Sequence, residues 1–509
     1  MSTSSDPLAT LVDGGHAARG SGLWGNRWLL LLLAVASALR VALVVQGGQL
    51  YWPDERLYTH VLDLFDGNAP GGLGIVRGLV GTQEHLGFAL ISAAPAAVQW
   101  ALGRALGRPV ESLVVIPSLV FSQVSVIAIA LVYAIARRAG RDRTEATFAA
   151  LLMASTTTVF YYARHLLPYD SALALGLLAL WFGVGQTRRD SLGCGAAASA
   201  AFITYNGYWL LAGVVMLVHL VGHGWPGTRV VVPRAARMVL GFVSVPLGIM
   251  AAQAVFGAPL LVSGMRSLAG SVTDGYAPEG FRVPWAFLWH AEHALLLVWL
   301  IAVLFVVFDP REWRSRRRQT ALAWVASAVV IYLGLASTSA LLHVFVVMGR
   351  QSRQLVPFFC LATAAAVAEL LERRVRRGGM LAACVVALLL QAGWNVRQPL
   401  LQRFPRDVIA ESLATYGDID YDTTLVGPPP AHPRTPSRWL LLNAQHLYQP
   451  KGPAPALPRG TVELLRFPHP LQFLPYQYEG FSPIERQVLR RNDIAMRLVD
   501  IGPPVEPLP

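Results

Sequence analysis

The chain has 509 residues, of which 54% are hydrophobic and only 14% are charged. A soluble globular protein carries about 25% charged residues, and the deficit here comes from repeated apolar runs near the ~20 residues that span a bilayer. Composition alone therefore predicts membrane insertion. The net charge of +12 does not indicate nucleic-acid binding, because the arginines cluster in short loops between apolar runs, as in membrane proteins.

The first apolar run, Arg27–Gln46, is too long for the apolar core of a signal peptide, and no small-residue cleavage site follows it. We therefore expect a signal anchor. Arg19 and Arg27 precede it, which predicts a cytoplasmic N-terminus.

The second apolar run, residues 86–102, has two interpretations. If it crosses the membrane, the next span (113–136) leaves four arginines outside, against the positive-inside rule. If it is interfacial or re-entrant, these four lie inside and only Arg104 and Arg108 stay outside. The second interpretation is favoured. The four arginines are Arg137, Arg138, Arg141 and Arg143.

The remaining spans then alternate between the two sides, which gives about 11 transmembrane helices. The later spans are predicted at 146–161, 171–185, two short runs ending near 205 and 223, 238–256, a run from 284, a run ending near 342, 355–371 and 380–394. In this order every large basic cluster lies on the cytoplasmic side.

The chain is thus predicted to be an all-α polytopic membrane protein with a small external C-terminal domain. Its parts are a cytoplasmic segment (1–26), a transmembrane domain (27–394) and a Pro-rich external domain (395–509). Within the last part, Trp439–Leu442 is typical of a strand and residues 484–491 of a helix. The three cysteines lie in or beside apolar runs, so they support neither a disulfide framework nor a zinc site.

The most informative segment for function is Asp54-Glu55, just outside the first span. Two acids after Pro53 also suit an ordinary helix start. At a membrane surface, however, paired carboxylates suit a general base and the group that orients it.

This acidic pair in the first external loop resembles the GT-C glycosyltransferases, above all family 39, with its protein O-mannosyltransferases and lipid A aminoarabinose transferases. Two further segments are similar: residues 162–170 (YARHLLPYD), with an Arg and a later Asp, and Tyr205-Asn206-Gly207, a short turn between spans. The resemblance covers residues 27–394. It departs at Glu84-His85, which lacks the family's following prolines, and at Asn206, where the family often has Lys.

The resemblance implies a sugar donor linked to polyprenyl phosphate, and direct attack that inverts the anomeric centre. The acceptor would be a glycan, a lipid or a protein. Asp54 would be the general base and Glu55 its partner. The lipid-phosphate leaving group needs positive charge rather than a strong acid, and the planar fork of Arg suits it.

Four groups are candidates for binding this phosphate. Arg350 and Arg353 lie at an outer helix end where no topogenic signal requires them, although snorkelling to headgroups explains each about as well. Arg164 and His165 are similar candidates. Asp170 enters an apolar run, where acids are functional by default, or simply caps the helix.

The sequence leaves metal binding open. Glu84, His85 and His60 could supply ligands for a divalent ion, although adjacent residues point in different directions on a helix. His290 and His293 are spaced one helical turn apart, but interfacial histidines are the more common explanation.

Other classes of protein remain as alternatives. An O-antigen ligase or polymerase-like transferase would depend on a large outer loop instead. A transporter or flippase typically shows internal repeats, which the sequence lacks. A receptor-like or structural protein would leave Asp54, Arg164 and Arg353 without a common reason to face one side. The favoured location is the bacterial inner (plasma) membrane, with membrane lipid as a partner.

Overall fold

The computed structural model describes residues 26–46, 55–66, 71–108, 110–221, 228–259, 261–262, 280–308, 316–344, 347, 349–372, 377–397, 419–420, 439–442, 462–468 and 495–500. The helices are α1 (Arg27–Gln46), α2 (Arg56–Asp66), α3 (Gly71–Val80), α4 (Leu86–Leu106), α5 (Val115–Arg138), α6 (Arg143–Ser155), α7 (Thr157–Tyr162), α8 (Pro168–Gly183), α9 (Arg188–Thr204), α10 (Trp209–Val221), α11 (Thr228–Phe256), α12 (Val283–Phe308), α13 (Arg316–Ala340), α14 (Gly349–Ser352), α15 (Val356–Glu372) and α16 (Arg377–Asn395).

This helical architecture confirms the predicted polytopic membrane fold. Seven helices in the described residues are long and apolar enough to cross a bilayer, and they leave many large apolar side chains exposed, such as Leu240 and Ile301. In water such a surface would be costly, whereas lipid matches it. The count of 11 crossings stays a prediction, because α8, α9 and α10 are shorter than those seven helices.

The bundle has two ends, which the path of α6 and α7 defines. These helices begin at Arg143 and lead to a loop at 163–167, where the backbone N–H of Leu166 donates to the Glu55 carboxylate. About 20 residues of helix cover roughly 30 Å. We call the two ends the Arg143 end and the Glu55 end.

The helix α4 lies across the Glu55 end rather than along the bundle. Near its start, Gly87 packs against Thr204, the last residue of α9. Twelve residues later, Gln99 accepts a hydrogen bond from Tyr58 of α2 at 2.8 Å and donates to the carbonyl of Val110. A helix crossing the membrane would move about 18 Å deeper over that stretch. Although α4 is long and apolar enough to span, these contacts support the interfacial interpretation.

The span that the sequence predicts as one helix at 146–161 is interrupted. Thr156 is extended (φ −68°, ψ 130°) and separates α6 from α7, and Glu292 of α12 accepts hydrogen bonds from the N–H groups of Thr157 and Thr158, both at 3.0 Å. The single span predicted at 146–161 is therefore wrong in detail. A second helix supplies the acceptor, so local sequence does not encode the break.

The described part of the tail forms a four-stranded sheet from β1 (Ile419–Asp420), β2 (Trp439–Leu442), β3 (Val462–Pro468) and β4 (Ala495–Asp500). Its order is β1-β2-β4-β3. The first pair is parallel and the other two pairs are antiparallel. The strand predicted at Trp439–Leu442 is confirmed, whereas the helix predicted at 484–491 lies outside the described residues.

Candidate functional site

The loop between α7 and α8 is held in place by Glu55. This carboxylate is 1% exposed. Its Oε1 accepts the N–H of Leu166 at 2.8 Å and lies 3.3 Å from Nδ1 of His165. Through these contacts Glu55 fixes the position of the loop. Its neighbour Asp54 lies outside the described residues, so its assignment as the base stays a prediction.

The contacts of His165 fix its tautomer. The Nε–H group of Arg164 can only donate, and it lies 3.2 Å from Nε2 of His165. Nε2 must therefore accept, so the proton sits on Nδ1 and is donated to Glu55. Burial lowers the pKa of His165 below its ordinary value, and the Glu55 carboxylate opposes this only in part. The ring is thus neutral, donates a hydrogen bond to Glu55 and accepts one from Arg164.

A buried ion pair lies beside this loop. Arg353, in the 3-10 turn Arg353–Leu355, is fully buried and pairs with Asp170 in the first turn of α8. Pro168 starts α8 and supplies the fixed φ that suits this position. The ring of Tyr162 packs 4.6 Å from Cζ of Arg353. Asp170 is therefore the ion partner of the arginine.

Arg350 is only half-buried and is surrounded by tyrosines. Its Nε donates to the hydroxyl of Tyr205 at 3.2 Å, and the Tyr208 hydroxyl donates to its carbonyl at 3.2 Å. The ring of Tyr169 lies 5.5 Å from its Cζ. Arg350 is thus the more accessible of the two predicted arginines.

The turn Asn206–Tyr208 joins this group to α14 and α15. A Cβ atom at Gly207 would collide with the ring of Tyr205, so a larger residue there would require that ring to move. The side chain of Gln354 donates to the Gly207 carbonyl at 3.1 Å. Asn206, where the family often has Lys, begins the turn and is half-buried.

A cavity of about 500 Å³ opens beside α2 and the start of α4. Polar and titratable residues line much of it, among them Thr59, His60, Asp63, Thr82, Gln83, Glu84 and His85. His85 has a left-handed backbone (φ 50°), and its ring lies 5.3 Å from that of Tyr205. The cavity is therefore connected to Arg350 through two aromatic side chains.

Glu84, His85 and His60 thus share one cavity, as the hypothesis of a metal required. Even so, within the described part of the chain no group of three or more His, Cys, Asp or Glu side chains is placed to hold a metal ion. The hypothesis that His290 and His293 bind a metal together is not supported, for a different reason. The backbone at His293 is non-helical (φ 40°, ψ −113°), so the two do not share a regular helix face.

Sequence reasoning missed two buried polar groups. Arg40 in α1 is 1% exposed and donates to Ser125 and to the carbonyl of Ala36. Glu292 is fully buried and also accepts from Gln391 of α16 at 3.0 Å. The available signal was a charge inside an apolar run, which is functional by default in membranes.

No protein-family sequence model matches the chain, and no curated protein sequence matches it. Several solved structures are similar to the chain. One is the apo oligosaccharyltransferase of Archaeoglobus fulgidus, at 12% identity and TM-score 0.43, covering 78% of this chain and 57% of that one. Another is ArnT from Cupriavidus metallidurans bound to undecaprenyl phosphate, at 15% identity and TM-score 0.44. The match covers 70% of this chain and 64% of that one.

A third is the oligosaccharyltransferase AglB from Archaeoglobus fulgidus in complex with an inhibitory peptide and a dolichol-phosphate. Its identity is 12% and its TM-score 0.42, with 78% of this chain and 56% of that one covered. The chain thus spans less than two thirds of the length of each of these proteins. A functional assignment therefore has to rest on the residues of the site.

Proposed function

We propose that the chain is a GT-C-type glycosyltransferase that moves a sugar from a polyprenyl-phosphate donor to a glycan, lipid or protein acceptor. The observation that carries this proposal is the group of arginines at the Glu55 end. Arg164 and Arg353 are buried and Arg350 is half-buried. The contacts of Tyr205 link Arg350 to His85, which lines a polar cavity. Positive charge concentrated at a buried site is costly, and an anion such as a lipid phosphate would offset it.

The proposed reaction uses this positive charge to stabilise the leaving group. The bond between the anomeric carbon and the phosphate oxygen breaks, and its electron pair stays on the phosphate. The acceptor oxygen or nitrogen forms the new bond from the opposite face, with inversion, and its proton passes to Asp54. The arginines supply the electrostatic stabilisation that such a step needs.

Glu55 has a positioning role in this proposal. Its carboxylate is committed to Leu166 and His165, so proton removal falls to Asp54. We place the site at the outer face, because the Glu55 end is opposite the arginine-rich loop that ends at Arg143.

The test is to follow label leaving a labelled polyprenyl-phosphate sugar with purified protein. We expect cleavage by the wild type and a loss of about 100- to 10,000-fold in Asp54→Asn, which cannot accept the proton. The matched control is Asp142→Asn, because Asp142 caps α6 at the opposite end. An intact sugar–phosphate bond throughout, with the label moved across the bilayer, would favour a transporter.

A second pair of variants tests the phosphate-binding role. Arg353→Lys keeps the charge but loses the fork that binds two oxygens, so its turnover should fall. Arg353→Ala should cost more, about 2–5 kcal/mol in transition-state stabilisation. Normal turnover in the Ala variant would move the phosphate to Arg350 and Arg164.

A further inference from the structure

The hydroxyl group of Tyr205 fixes the orientation of the Arg350 guanidinium. Tyr205 follows α9 with an extended backbone (φ −150°, ψ 104°), and its hydroxyl oxygen accepts the Nε–H of Arg350 at 3.2 Å. Because arginine presents its donors in a rigid planar fork, a hydrogen bond at Nε sets the plane and direction of the whole group. A bidentate contact between Arg350 and a phosphate then has to use the two Nη groups.

The ring of Tyr205 reaches this position because Gly207 has no side chain. A Cβ atom at Gly207 would lie 2.5 Å from Cε1, 2.6 Å from Cζ and 2.8 Å from the hydroxyl oxygen of Tyr205. These three atoms are at the end of the ring that contacts Arg350, and each distance is a steric clash. Gly207 therefore leaves room for the hydroxyl at the point where it accepts from the arginine.

Three neighbouring rings pack against Tyr205. The ring centroids of His85, Tyr169 and Tyr208 lie 5.3, 4.8 and 5.1 Å from its own. Two of these residues also contact Arg350. The Tyr169 ring is 5.5 Å from its Cζ, and the Tyr208 hydroxyl donates to its backbone carbonyl at 3.2 Å. Arg350 is therefore held through both its side chain and its backbone.

The turn that carries these tyrosines is also tied to the segment that carries Arg350. The side-chain amide of Gln354 donates to the Gly207 carbonyl at 3.1 Å, and its oxygen accepts the backbone N–H of Leu211 at 2.9 Å. Gln354 is fully buried, so both hydrogen bonds are shielded from water. The distance between Tyr205 and Arg350 is thus set by the fold and not by one surface contact.

We propose that Tyr205 is a positioning residue for the lipid phosphate, because its hydroxyl orients Arg350 so that the two Nη groups meet the phosphate oxygens. This inference rests on the proposed function. A side chain that is oriented before its ligand arrives loses less conformational entropy on binding. Loss of the hydroxyl should therefore weaken phosphate binding, although Tyr205 acts only through Arg350.

The experiment measures the affinity of detergent-solubilised full-length protein for polyprenyl phosphate. Tyr205→Phe keeps the ring but removes the hydroxyl, and it should weaken binding about 3- to 10-fold, as loss of one hydrogen bond does. Arg350→Gln should weaken binding about 10- to 100-fold, because it removes a charged donor. In the double variant the loss should stay within about twofold of that in Arg350→Gln alone, because the two residues act as one unit.

Two further variants sharpen this comparison. Tyr332→Phe is the matched control, since its hydroxyl donates to the Phe281 carbonyl at 2.9 Å, away from the arginines, and it should bind like the wild type. Gly207→Ala displaces the hydroxyl end of Tyr205 by a different route. It should weaken binding in the wild type and have little effect when Arg350 is already Gln.

The outcomes separate the inference from the function. If the wild type does not bind polyprenyl phosphate, the proposed function fails. If the wild type binds but Tyr205→Phe has no effect, or has the same effect with and without Arg350, only the inference fails. It also fails if Arg350→Gln binds like the wild type, since the phosphate then depends on Arg353 and Arg164. Should Tyr205→Phe not fold, Gly207→Ala decides by the same comparison.

Discussion

His165 is the residue whose ionisation should control the stability of the site. Its folded pKa lies below the ordinary value of about 6.5. Its contribution to stability is therefore complete above pH 6.5. It is lost as the pH falls from there through the folded pKa, because the unfolded chain takes up the proton first. Because only one proton is involved, the free energy of unfolding falls by at most about 1.4 kcal/mol per pH unit.

We expect the melting temperature in detergent to fall between pH 7.5 and 5 more steeply in the wild type than in His165→Gln. Glutamine can accept from Arg164 and donate to Glu55 without titrating, so this variant isolates the histidine from the other groups that titrate. Parallel curves for the two proteins would show that His165 is not the neutral link described above.

Most charged residues of the site could be predicted from sequence, and their partners could not. Glu55, Arg164 and Arg353 stand out because charge at a helix end near an apolar run is uncommon. Their pairing depends on contacts across the fold. Arg353 and Asp170 are 183 residues apart in the sequence. No local sequence pattern predicts a contact between residues so far apart.

At the scale of elements, α9 and α11 pack closely because glycines face the neighbouring backbone. A Cβ atom at Gly195 of α9 would collide with the carbonyl of Met238 in α11. Gly241 of α11 approaches Leu192 of α9 in the same way. Small residues allow this approach in membranes, where packing and not hydrophobic burial drives helix association.

Gly195→Ala should therefore lower stability by about 1–3 kcal/mol, as overpacking does. Gly248→Ala in α11 is the matched control, since a Cβ atom there meets nothing within 4 Å, and alanine favours a helix over glycine. Thermal unfolding of the two variants in the same detergent measures the difference. Equal melting temperatures would mean that α9 and α11 are not in close contact.

Helix positions could be predicted well from apolar periodicity, but helix breaks could not. The last span, predicted at 380–394, is found as α16 over Arg377–Asn395. The break at Thr156 depends on Glu292, and Asn395 also donates to the Ser155 carbonyl at 2.8 Å. Both partners come from distant parts of the chain, so only the folded bundle specifies the break.

At the scale of the whole molecule, topology depends on whether α4 crosses the membrane. Its length and hydropathy allow crossing, whereas its contacts keep both Gly87 and Gln99 at the Glu55 end. If α4 does not cross, the four arginines after α5 are cytoplasmic, the N-terminus is cytoplasmic and the tail is external. The site then faces the outside.

Reporter fusions at three positions test this arrangement. A fusion at Arg108, just after α4, should report the external side, one at Arg143 the cytoplasm, and one at Gly452 the external side again. The fusion at Arg108 is decisive, because a crossing α4 would place it in the cytoplasm. It would also force Arg143 outside, against the positive-inside rule. A cytoplasmic signal at Arg108 with an external signal at Arg143 would therefore contradict both the interfacial placement of α4 and the outer location of the site.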